Sequence, residues 1–103
     1  MRQTVARKLL TTYQVTINVP YHARGGYVRH RHRRAFVRAA SVTGAVHRAF
    51  ESHRWVTGGI VVLAVHADRP VFSPGGSMFR TWRVELLVPA QNIGLTAWVR
   101  EGR

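Results

Sequence analysis

The sequence predicts an α+β fold: one main helix packed on a four- or five-stranded, mostly antiparallel sheet, in the order strand, basic segment, helix, strand, strand, strand. Three observations predict it. Residues 13–19 alternate strictly between apolar and polar side chains, residues 33–53 carry an apolar arc at helical spacing, and three strand-like runs separated by turn residues fill the remainder. The 103 residues suffice for a single domain, 1–103, and a balance of 46% hydrophobic to 19% charged residues is too apolar for a disordered basic tail.

The first strand places Tyr13, Val15, Ile17 and Val19 on one face and Gln14, Thr16 and Asn18 on the other, and Pro20 is expected to end it. Arg24-Gly25-Gly26 supplies the permissive backbone of a turn. Residues 27–34 then carry arginine and histidine in every facing, which predicts an exposed edge strand or loop. At 100° per residue, Phe36, Ala39, Val42, Val46, Ala49, Phe50 and His53 fall in one arc, so a helix is expected over about 33–53. Its weak point is Ser41-Val42-Thr43-Gly44, where β-branching and glycine lower helix propensity.

Gly58-Gly59 introduces the continuous apolar run 60–65, the pattern of a strand covered on both faces and therefore central in its sheet. After the loop at 73–77, Trp82, Val84, Leu86 and Val88 alternate with Thr81, Arg83, Glu85 and Leu87 as a further strand, and 93–99 forms the last. These three strands are expected to form an antiparallel meander, with a right-handed helical crossover if the first strand pairs beside the central one.

Sixteen Lys and Arg against four Asp and Glu leave a formal charge of +12, which favours a polyanionic partner: nucleic acid (DNA or RNA), an anionic membrane surface or an acidic protein, among which the sign alone does not choose. Fifteen of the sixteen are arginine, whose guanidinium forks onto phosphate and guanine edges; GC-rich codon usage would produce the same bias. Eight of the basic residues and none of the acids lie in the first 34 positions. Absence of cysteine excludes disulfides, a thiolate metal cage and a cysteine nucleophile. A longest apolar run of six residues is far short of the roughly 20 a membrane-spanning helix needs, so a cytoplasmic bacterial or phage protein is expected. Arg2, Arg7 and Lys8 faintly imitate a transit segment, but strand-like residues follow too soon.

The most distinctive stretch runs from His22 to Arg34. Arg24, Arg29, Arg31, Arg33 and Arg34 are expected to neutralise phosphates there, with Tyr27 stacking on a base. His30 and His32 share a face if the segment is extended, yet the arginines around them disfavour a divalent cation, and neither a metal nor a cofactor is expected. Of the aromatics, Phe72 and Phe79 flank a glycine loop and are the better candidates for exposed contacts, while Trp82 and Phe50 belong to apolar faces. The first expectation is therefore a non-catalytic nucleic-acid-binding protein.

Two alternatives accompany it. The order of elements in about a hundred basic residues, with Arg80-Thr81-Trp82-Arg83-Val84 and Trp98-Val99-Arg100 near the end, resembles the RelE/ParE toxin family. That resemblance implies ribonuclease or host-enzyme inhibitor activity, with Arg80 and Arg83 stabilising phosphate charge and His66 moving a proton. The chain departs from the family after the first strand, where its Gly- and His-rich segment lacks the helix formers of a helical hairpin. The other alternative is a small phage-type protein that binds a host or structural protein, or a second copy of itself, by strand addition.

Overall fold

The computed structural model describes residues 9–22 and 24–102, so the basic cluster at Arg2, Arg7 and Lys8 lies outside the described residues. The described residues form one α-helix, a single 3-10 turn at Pro89–Gln91, a five-stranded antiparallel sheet and a small two-stranded sheet. Strands β1 (Thr11–His22) and β2 (Val28–Ala39) make a long hairpin paired at all twelve positions, turned by Gly25 and Gly26 at φ 85° and 80°. Helix α1 (Val42–His53) follows, then β3 (Val61–Ala67), the short hairpin β4 (Val71–Phe72) and β5 (Met78–Phe79), and finally β6 (Thr81–Val88) and β7 (Ile93–Glu101).

The sheet order is β2-β1-β7-β6-β3. Since every adjacent pair is antiparallel, β2 and β3 run in the same direction at opposite edges, and α1 carries the chain between them. β3, β6 and β7 form the expected meander. Two other expectations are corrected. The run 60–65 does not become the central strand: β3 is an edge, and β1, between β2 and β7, lies beside neither β3 nor β6, so no crossover joins it to a central β3. A β-branched run satisfies an edge as well as an interior strand, and on β3, whose register shifts between Val62 and Ala64, the side chains of Val61, Leu63 and Val65 are exposed.

The helix begins at Val42, not near 33. Residues 33–39 are strand because Ala35, Val37 and Ala39 already satisfy a period of two, being buried while Arg34, Phe36 and Arg38 are exposed. Ser41, read as a weak point inside the helix, is its N-cap: the hydroxyl accepts from the Gly44 amide at 3.0 Å. Pro20 does not end β1 either. β1 pairs with β7 only from Tyr13 to Ile17, so Pro20 stands where that neighbour is already lost and its missing N–H forfeits no bond to β7.

The core fills the space between α1 and one sheet face. Ala45, Val46, Ala49 and Phe50 of the helix pack toward Val15 and Ile17 of β1, Val84, Leu86 and Val88 of β6, and Ala97 and Val99 of β7. Each fully buried aliphatic side chain contributes about 1.5–3 kcal/mol. Beyond Ile17 the hairpin leaves the shelter of β7 and projects as a two-stranded arm. None of the described helices is long and apolar enough to cross a membrane.

Candidate nucleic-acid interface

Register decides where the basic segment sends its charges. Ile17, Val19 and Tyr21 of β1 stand opposite Arg33, Arg31 and Arg29, so these three arginines share the helix-side face. Thr16, Asn18 and Pro20 stand opposite Arg34, His32 and His30, which therefore occupy the helix-free face. Arg24 and Tyr27 sit in and beside the hairpin turn, both exposed. The expected site residues are thus not one face: alternation divides them across the arm.

On the helix-side face the arm meets the end of α1. Here Tyr21, Arg31, Arg33, His53, Arg54 and Trp55 line an open groove of about 610 Å³, and Arg34, although its register on the edge strand β2 assigns it to the other face, lines the groove as well. The Arg31 guanidinium lies 4.6 Å from the Tyr21 ring centroid, a cation–π contact that holds the side chain over the arm. Trp55 is set by an edge contact with Phe50 at 5.2 Å and by the His53 ring at 5.6 Å, and His53 Nδ1 is 3.2 Å from the Ala49 carbonyl. No carboxylate lines the groove. Among the described residues the two ion pairs, His66–Glu85 and Arg80–Glu101, both lie away from it, which leaves the arm's charge uncompensated.

Arg54 caps α1 in the left-handed conformation, φ 48° and ψ 48°, where glycine is the usual residue. A side chain in that conformation costs about 1–2 kcal/mol, partly offset by a cation at the helix C-terminus. The sequence therefore keeps a strained arginine at the groove. Arg54→Gly is expected to raise stability by about 0.5–1 kcal/mol, seen as an increase of a few degrees in Tm, while weakening polyanion binding. A variant that loses stability would contradict this account of the cap.

The helix-free face is also basic and carries two exposed aromatics, Phe36 at 55% and Trp98 at 44% exposure. Arg34, Thr16, Trp98, Arg83 and His66 form one row across all five strands, each opposite the next. The adjacent row runs Phe36, Gln14, Arg100, Thr81. Arg100 donates to Gln14 Oε1 at 3.0 Å and lies over the Phe79 ring at 5.5 Å, while its buried Nε has no partner. Phe72 is exposed as expected; Phe79 is half-buried beneath Arg100.

The residues implied by the toxin-family resemblance are only partly brought together. His66 and Arg83 are cross-strand partners, with His66 Nε2 3.2 Å from Glu85 Oε2. Arg80 is bound through two guanidinium nitrogens to Glu101 at 3.0 and 2.8 Å. These bonds raise the Arg80 pKa and hold the Glu101 carboxyl below its ordinary value. The segment after β1 forms β2, not a helical hairpin, because its partner strand satisfies its backbone along the whole length. No family model, curated protein or solved structure matches this chain.

Tyr21, His53, Arg54 and Trp55 were missed as site residues. The signal for Tyr21 was its extension of the β1 alternation past Pro20, but Trp55 and Arg54 join the arm only through the packing of α1.

Proposed function

We propose that this protein binds nucleic acid without catalysis, through the arm formed by β1 and β2 and the adjoining end of α1. The observation that supports the reading is the groove itself: four arginines (Arg31, Arg33, Arg34 and Arg54), the Tyr21 and Trp55 rings and no carboxylate where the arm meets the helix. Arg31, Arg33 and Arg54 would contact phosphates there, with Arg29 further along the same face; Arg24, Arg34 and Tyr27 would engage the strand as it passes the turn and the arm's edge. Such a partner, DNA or RNA, is met in the cytoplasm.

A salt titration tests this. Phosphate contacts by the arm's five arginines and Arg54 release counterions, giving a slope of about −4 to −5.5 in log affinity against log salt concentration. Absence of binding at low salt would remove the proposal. Cleavage of RNA that disappears in Arg83→Ala would instead favour the toxin-like alternative.

One observation favours a second reading, association between copies. β3 is an edge strand whose exposed Val61, Leu63 and Val65 are flanked by no lysine, arginine or proline within the strand, whereas β2 at the other edge would repel its own copy through its arginines. Pairing through β3 would place the two basic arms at opposite ends of a continuous sheet. Light scattering is expected to give twice the monomer mass for the parent protein and the monomer mass for Leu63→Lys. A monomeric parent protein at high concentration removes this reading.

A further inference from the structure

We infer that the helix-free face of the sheet, opposite the groove, is a stacking platform for unpaired bases, so that the nucleic acid bound is single-stranded; the inference rests on the nucleic-acid reading and goes beyond it by adding a second contact surface. An antiparallel sheet covered on one face normally presents polar side chains on the other. Here that face also exposes Phe36 and Trp98, two large rings that among the described residues neither pack against the core nor contact another ring. Isolated exposed apolar residues need no explanation, but these two are surrounded by cations in an ordered way.

Trp98 lies between Arg83 on β6 and, across Thr16, Arg34 on β2, all in one cross-strand row. Phe36 and Arg100 occupy the next row with Gln14 between them. Strand spacing and rise put the two rings about 12 Å apart, one intervening strand across and two residues along. That separation lets each ring take a different base of one extended strand, while the short side chains of Thr16 and Gln14 leave the space between them open. Duplex DNA or RNA offers no free base face to such rings.

A hollow of about 280 Å³ adjoins Trp98, walled by Arg69, Thr81 and Arg100. Arg100, one of its walls, has a buried Nε without a hydrogen-bond partner. Two acids lie on or beside this face, Asp68, whose Oδ1 accepts from the Arg69 amide at 2.8 Å, and Glu85, whose Oε2 is 3.2 Å from His66 Nε2; Arg34, Arg69, Arg83 and Arg100 outnumber them. Charge therefore favours a polyanion over an apolar protein partner on this face, and the rings favour one whose bases are free.

The test uses a labelled oligodeoxythymidylate of about 20 nucleotides and a duplex of equal length, titrated against the full chain and the variants Phe36→Ala, Trp98→Ala, Phe36→Tyr and Trp98→Phe. The parent protein is expected to prefer the single strand, and each alanine variant to weaken single-strand binding roughly 5- to 150-fold with little change for duplex. Each aromatic replacement should retain most of the affinity. Both side chains are exposed, so folding is preserved, which circular dichroism verifies. Equal affinity for the two probes with neutral alanine variants overturns this inference alone, and no binding of either probe overturns the nucleic-acid reading with it. A fall in mass by light scattering on substituting Phe36 or Trp98 shows that a second copy covers the face and also overturns it.

Discussion

Replacing Arg31 and Arg33 together by alanine is expected to weaken nucleic-acid binding about 30- to 100-fold and to reduce the salt slope by about 2. The magnitude follows from two charge-assisted phosphate contacts, each worth about 1–1.5 kcal/mol when partly exposed to water. Stability should respond differently. Both side chains project from an edge strand with no carboxylate partner among the described residues, so their removal relieves like-charge repulsion along β2. The opposing term is the Arg31–Tyr21 contact, about 0.5–1 kcal/mol at an exposed site. The two effects nearly cancel, and Tm should move by only a few degrees. Titration of the oligonucleotide over a range of salt, beside a thermal melt, separates the outcomes. Parent-like affinity with an unchanged slope would mean that the groove is not where phosphates bind.

Ile17→Ala is expected to have the largest effect on the fold, a loss of about 2–5 kcal/mol. Ile17 is fully buried and is the last residue of β1 paired on both sides, to Arg33 of β2 and Ala97 of β7. Its side chain therefore anchors the point from which the arm projects. In a domain whose total stability is of the order of 5–15 kcal/mol, that loss lowers Tm by more than 10 °C. Val19→Ala, two residues further along the same face but half-buried at the groove, should cost much less because less apolar surface is returned to water. Denaturant unfolding of the two variants checks the contrast. A cost for Ile17→Ala no greater than that for Val19→Ala would show that the core does not end where β1 leaves β7.

Local patterns were legible where one face of an element is buried and the other is not. The alternation at 13–19 and at 81–88 marked β1 and β6 because a strand half-covered by the helix must send every second side chain inward. The helix was legible in its second half, where Ala45, Val46, Ala49 and Phe50 are all buried, but its start was not. Residues 33–39 contain apolar positions compatible with both periods, and the long pairing with β1 chose the strand. The run at 60–65 misled for a related reason: continuous β-branched residues signal a strand without saying how many neighbours it has.

The candidate site divides in the same manner. Arg24, Tyr27, Arg29, Arg31, Arg33 and Arg34 could be singled out from charge and composition, since an excess of guanidinium groups is visible in any linear reading. Their separation onto two faces followed from pairing alone. Arg54 and Trp55 entered the groove because α1 ends beside the arm, and Phe36, Trp98 and Arg83 share a surface because β1 pairs with β7 and so joins the β1–β2 hairpin to the meander.

By itself the amino-acid sequence determined that this chain is a basic α+β domain with one helix, an antiparallel sheet and an arginine-rich segment near its start. Those properties depend on charge and on short-range periodicity, which neighbouring residues specify among themselves. Tertiary structure decided that β3 is an edge, that the helix spans the two outer strands, and that the arginines face both sides of the arm. Those choices depend on which distant strands exchange backbone hydrogen bonds, and shifting that register by one residue would exchange the groove's arginines for the histidines of the opposite face.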